Sequence, residues 1–191
     1  MLNLYKLIEI LVSLQLIIIS TLLPVYIPLQ IINKSSNSLE IPITWQIPTI
    51  ILLTLIFNKK VVLSAYTVYI ILGLFIFPVF HEGGSIGYLL TPNFGYLLGV
   101  FPLIKIIDNL NSKNKINVGN FLMNGFIAIC SLHLIGIFYN LLQIIFYSKF
   151  NIFLYNLGKY SVGKIGYHLL MLLPILILIK PIKKLKTSKN D

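Results

Sequence analysis

IPITWQIP (Ile41 to Pro48) and FPVFHEGGSIGYLLTPNFGYLLGVFP (Phe77 to Pro102) are polar, turn-rich segments set at the ends of long apolar runs. They place Gln46, His81, Glu82, Thr91 and Asn93 beside sequence that reads as membrane-embedded. In hydrocarbon an unsatisfied polar group costs several kcal/mol, and irregular backbone is tolerated only where protein or a water-filled cavity surrounds it. Polar groups held at that depth therefore mark these segments as a candidate ligand site.

Working outward, the rest of the chain supports the membrane reading. Of 191 residues, 57% are hydrophobic and 10% charged, with a mean hydropathy of +0.90; soluble domains carry about 25% charged residues. Six apolar segments follow one another, at about Leu7–Ile32 (interrupted by Pro24 and Pro28), Trp45–Phe57, Val61–Phe80, Phe94–Ile107, Val118–Tyr147 and Ile165–Ile182. The second and fourth are short against the roughly 20 residues a span requires, so they are tilted, extended into their flanks, or buried within the bundle. The expected fold is an all-α membrane protein, a six-transmembrane-helix bundle with polar outward-facing loops. Residues 1–182 form the single transmembrane domain and residues 183–191 a basic cytoplasmic tail. The N-terminal apolar run is read as a retained first helix rather than a cleaved signal.

All fifteen basic residues are lysines, and they lie at the ends of apolar runs rather than along a stripe. The net charge of +10 is thus explained by snorkelling and orientation, and nucleic acid is not an expected partner. Eleven lysines flank one side; four (Lys34, Lys149, Lys159, Lys164) flank the other. The lysine-rich side is expected to be cytoplasmic, with both termini on it and the protein multi-pass in the plasma membrane. The connections Asn33–Thr44, His81–Asn93 and Ser148–Lys164 then face outward, and the candidate site opens away from the cytoplasm.

Several chemistries find no support. No GxxxxGK[ST] loop and no HExxH motif occurs, so neither ATP hydrolysis nor zinc-dependent hydrolysis is expected. His81, His133 and His168 fall on different segments, and no metal site is expected from them. The single Cys130 reads as small core filler. Glu9 lies one turn after Lys6 and Asp108 beside Lys105, both at headgroup level. Adjacent His81 and Glu82 could form an acid–base pair only if two neighbouring side chains met one substrate atom. Gly95 and Gly99, four apart, offer a small-residue face for helix packing. Gly83–Gly84 reads as a tight loop able to close over a ligand. The Gln46 amide suits a urea- or amide-like group. Trp45 is either an interfacial anchor or a pocket wall, and Phe80 and Tyr96 either wall an apolar pocket or pack the bundle.

In order and spacing these blocks resemble the BioY family, the substrate-binding membrane component of biotin uptake systems. Members show VPiTlQ, YlllGlxGlPVF, a Gly-rich loop and GPTxGYLlGF. Here the blocks are IPITWQ (Ile41–Gln46), YIILGLFIFPVF (Tyr69–Phe80), HEGGSIGYLL (His81–Leu90) and TPNFGYLLGV (Thr91–Val100). The resemblance implies the six-helix fold of energy-coupling-factor substrate components, which are transporter subunits rather than enzymes. It implies biotin as a transported ligand with no resident cofactor, and membrane lipid, an energy-coupling transmembrane subunit and two ATPase subunits as partners. The site it implies comprises Thr44, Trp45, Gln46, Phe80, Gly83, Gly84, Thr91, Asn93, Tyr96 and Lys164. Gln46 and Asn93 would bond the ureido head, Trp45, Phe80 and Tyr96 would pack the apolar parts, and Lys164 would meet the carboxylate. Two departures stand out. The acidic residue that the family carries before the last helix is missing from YSVGKIGYHLLM (Tyr160–Met171), leaving Lys164 or His168 to take the polar role. The first helix also lacks an AxxxA face. A substrate component for another vitamin, or a membrane enzyme or scaffold, are the alternative readings.

Overall fold

The computed structural model describes residues 4–28, 38–111, 117–147 and 150–178. The first helix, α1 (Leu4–Leu22), buries one face made of Ser13, Ile17, Ser20 and Thr21. These lie at helical spacing, and the Ser20 and Thr21 hydroxyls donate back to the Ile17 carbonyl at 3.0 and 2.7 Å. The opposite face, with Leu11, Leu16 and Ile19, is exposed, as suits a helix bathed in lipid.

The helix does not continue to Ile32 as expected. Pro24 and Pro28 bound a strand, β1 (Pro24–Pro28), which pairs antiparallel with β2 (Ser38–Thr44). Proline cannot sustain the helical hydrogen-bond ladder but is accepted at the ends of edge strands. The fold is therefore mostly helical with one two-stranded sheet, a correction to the all-α expectation. Val25, Ile41 and Ile43 form a small buried cluster against Tyr167 and Met171, which seats the hairpin on the last helix.

Next, α2 (Gln46–Ile56) buries eight of its eleven residues. A helix apolar all round belongs inside the bundle, and at about 1.5 Å per residue it is an internal rod. Pro48 sits in its first turn, where the missing N–H would have no partner anyway. Asn58 caps α3 (Lys59–Phe75) by accepting from the Lys60 amide at 2.9 Å. Asp108, paired by sequence with Lys105, instead meets Lys59 Nζ at 3.0 Å, tying α3 to the end of α4 (Pro92–Asn111). Pro92 opens α4 at the position where proline is preferred.

The helix α5 (Val118–Tyr147) packs along α4 on a seam of glycines. Gly95 receives the Tyr139 side chain, Gly136 receives the Tyr96 ring, and Gly99 lies against the Leu132 backbone. The last helix, α6 (Phe150–Leu178), begins well before the expected Ile165. The stretch expected as an outward loop, Ser148–Lys164, is helical from Phe150, with a π-turn at Leu157–Val162. Its polar residues misled the sequence reading because three of them, Asn156, Tyr160 and Ser161, point inward. Asn156, Tyr160, Ser161 and His168 are buried on one helix face. By length and apolarity, α1, α5 and α6 are candidate membrane spans. Most lysines that set the expected sidedness, and the tail at 183–191, lie outside the described residues.

Candidate ligand site

Where the hairpin, the start of α2 and the loop before α4 converge on the bundle, a cavity of about 100 Å³ opens. Its apolar lining includes Phe80, Leu97, Val100 and Leu132. Phe80 anchors this wall. It meets Tyr69 edge to face and Tyr88 at a tilt, with ring centroids 5.3 and 4.6 Å apart. Gly73 makes room for it, since a Cβ there would lie 2.1 Å from the Phe80 ring.

The polar lining comes from six elements. Thr21 ends α1 and Thr44 ends β2; Gln46 starts α2; Tyr69 projects from α3. Asn93 and Tyr96 come from the first turns of α4, and Tyr160, Lys164 and His168 from α6. Among the described residues, five buried side-chain polar atoms lack a hydrogen-bond partner, and three of them line this cavity: Gln46 Nε2, Tyr69 Oη and Tyr96 Oη. Thr21 and Gln46 lie beside the Tyr69 hydroxyl, and Ser161 beside that of Tyr96. None of these neighbours forms a hydrogen bond of good geometry with either hydroxyl. Buried polar groups are nearly always paired, so three orphans around one hollow await a partner that the protein does not supply.

The mouth carries charge. Glu82 accepts from Asn93 Nδ2 and lies 3.9 Å from Lys159 Nζ. The loop is thereby tied to α4 and α6, a role the sequence did not assign to Glu82. Both partners of the ion pair are exposed, so the pair itself adds little. The Lys159 and Lys164 ammonium groups sit 4.7 and 5.3 Å from the Tyr160 ring centroid. Burial, then the Glu82 charge, push the Tyr88 phenol well above its ordinary value, so it remains a neutral donor.

Six of the ten site residues read from sequence line this cavity: Thr44, Gln46, Phe80, Asn93, Tyr96 and Lys164. Four do not. Trp45 is 39% exposed and turned outward at the start of α2. Thr91 spends its hydroxyl on the Tyr88 carbonyl, 2.7 Å away. Gly83 and Gly84 form a tight turn and do not line the cavity. Phe80 and Gly83 exchange backbone bonds of 2.9 and 3.0 Å, and Gly83 has φ of 109°. A Cβ on Gly84 would lie 2.6 Å from the Gly73 carbonyl. Trp45→Phe is accordingly expected to leave ligand affinity within about twofold of wild type in a direct binding assay, as befits an interfacial aromatic. A tenfold loss would return Trp45 to the site.

Thr21, Tyr69, Tyr88 and Tyr160 were missed. For Thr21 the available signal was a hydroxyl within an otherwise apolar helical run, but such a hydroxyl can also be satisfied on the preceding turn, as Thr54 is on Ile50 at 2.7 Å. The structure also joins two histidines that the sequence held apart. His133 Nε2 lies 3.1 Å from His168 Nδ1, and His133 Nδ1 lies 2.9 Å from Ser161 Oγ.

Comparison with known proteins adds three findings. A family model described as the BioY family matches residues 2–175. A "Probable biotin transporter BioY" of Lysinibacillus sphaericus is 38% identical over 80 residues, 39% of this chain and 40% of that protein. The chain therefore spans well under half the length of that curated relative in the match. A 2.1 Å crystal structure of the S-component for biotin from an ECF-type ABC transporter superposes with a TM-score of 0.65 at 19% identity, covering 96% of this chain and 95% of that one. At that identity the likeness concerns the fold.

Proposed function

The chain belongs to the BioY family, and from that premise we propose that it is the membrane-embedded, biotin-binding component of a biotin uptake system. The observation that carries the proposal is the set of unpartnered atoms. Gln46 Nε2, Tyr69 Oη and Tyr96 Oη surround one partly apolar hollow. A ureido group offers one strong acceptor and two N–H donors. An amide nitrogen takes the acceptor, and phenol oxygens can take either. Water can meet these atoms in the empty protein; biotin would replace it with fixed partners. The aromatic wall at Phe80 and the aliphatic floor of Leu97, Val100 and Leu132 suit the fused rings and chain.

Asn93, whose Nδ2 is engaged by Glu82, retains an oxygen to accept a ureido N–H. Thr44 adds a hydroxyl beside Gln46. Lys164 is half-buried and makes no ion pair among the described residues, so its ammonium is available to the valerate carboxylate. A charge-assisted bond of this kind is worth about 1.5–3 kcal/mol.

The six helices are taken to form a six-transmembrane bundle in the plasma membrane. The lysine distribution supports cytoplasmic termini and a site open to the outside. The sequence carries no nucleotide-binding loop, so uptake would draw on an energy-coupling transmembrane subunit and two ATPase subunits. Purified protein is expected to bind labelled biotin saturably at micromolar concentrations or below, with unlabelled biotin competing and thiamine and riboflavin not. Absence of saturable binding sinks the proposal. Displacement by another vitamin but not by biotin would reassign the ligand.

A further inference from the structure

Three buried polar side chains line up behind the cavity. Ser161 stands in the π-turn of α6, His133 at mid-α5, and His168 two turns further along α6. All three are buried, and His168 alone of them lines the cavity. The chain runs Ser161 Oγ to His133 Nδ1 at 2.9 Å, then His133 Nε2 to His168 Nδ1 at 3.1 Å. His168 Nε2 is the nitrogen left for the cavity. The Tyr96 and His133 rings meet edge to face, centroids 5.7 Å apart and planes at 71°, which fixes the middle member.

A neutral imidazole has one donor and one acceptor nitrogen. Two neutral rings in series behind a hydroxyl therefore have only two consistent arrangements. In one, Ser161 donates to His133, His133 donates to His168, and His168 Nε2–H donates into the cavity. In the other every bond reverses, and His168 Nε2 accepts. The ligand decides between them. Lys164 lies four residues before His168, on the same helix face and on the same cavity, so both address the same end of the ligand. A carboxylate there has only acceptors, and it selects the first arrangement.

We infer that Ser161 and His133 are positioning residues that hold His168 Nε2 as a hydrogen-bond donor to the acidic end of the ligand. This deepens the proposed function and rests on the ligand being biotin or a similarly acid-tailed molecule. The π-turn gives the device its geometry. A π-turn widens the helix locally and recurs at functional sites, and here it places Ser161 beside His133.

The test compares biotin with biotinol, in which CH₂OH replaces the carboxylate, on the full chain in lipid nanodiscs. A hydroxyl can meet His168 Nε2 in either arrangement; a carboxylate can meet only the donor. Wild type binds both ligands. His133→Leu and Ser161→Ala each lose about tenfold in biotin affinity, the worth of a charge-assisted bond, and change biotinol affinity by less than about threefold. His133→Gln, whose amide can still donate to His168, and Ser161→Thr, which keeps the hydroxyl, preserve the preference. If His133→Leu does not fold, Ser161→Ala against Ser161→Thr carries the comparison. Parallel losses for both ligands, unchanged affinities, or misfolding of every variant overturn the relay. Failure of wild type to bind either ligand overturns the biotin reading itself.

Discussion

Gly99→Val is expected to abolish the folded bundle. A Cβ at this position would lie 2.6 Å from the Leu132 carbonyl oxygen and 2.8 Å from its Cα. Both are backbone atoms of α5, so no side chain can swing aside. The helices would have to separate, and they are held together by reciprocal insertions that begin one turn from this point. Tyr139 fills the space at Gly95, and Tyr96 fills the space at Gly136. In a membrane, where close packing rather than water exclusion joins helices, such a seam has no substitute. A β-branched side chain there should cost more than about 4 kcal/mol, the range of severe core disruption. The expected readout is loss of a monodisperse peak in detergent and of the thermal transition. Gly99→Ala should fold but melt below wild type. A Gly99→Val protein that melts like wild type would show that the α4–α5 contact is looser than described.

Gln46→Leu should separate stability from binding. The Gln46 side chain is only 9% exposed and its amide nitrogen has no partner. Leaving such a group unsatisfied costs about 1–3 kcal/mol, and replacing it with an apolar side chain of similar shape removes that penalty. The empty variant should therefore melt at or above the wild-type temperature. Its affinity for biotin should fall about 10- to 100-fold, since the ureido oxygen loses its donor. Thermal unfolding with and without ligand reads both effects on one sample. A variant that is less stable when empty, yet binds normally, would mean the amide serves the fold and not the ligand. The opposite signs are the usual mark of a binding group held in an unsatisfied state.

The candidate site was legible where chemistry and position are both local. Gln46, Asn93, Phe80 and Tyr96 stood out because polar or aromatic residues at an apolar boundary require a local explanation, and all four line the cavity. Trp45 stood out for the same reason and points away, because the turn from β2 into α2 sends adjacent residues to opposite sides. Glu82 stood out only as a polar group at an apolar boundary, and its bond to Asn93 joins residues eleven apart through the loop's fold. The polar stretch at Asn156–Lys164 read as a loop because hydropathy registers polarity and not direction. Asn156, Tyr160 and Ser161 face the interior from a continuous helix.

Sequence alone determined the apolar segments, their order, the glycine spacing on α4 and the motif blocks, since each depends on residues within a few turns of one another. Only the tertiary structure decided that β1 pairs antiparallel with β2. Only it brought His133 within 3.1 Å of His168, 35 positions away, and surrounded one hollow with atoms from six helices and a strand. A helix dictates its own period, but its rotation against a neighbour is set by packing over the whole contact, and a single π-turn shifts every residue beyond it. That phase decides which polar groups meet, and no local pattern encodes it.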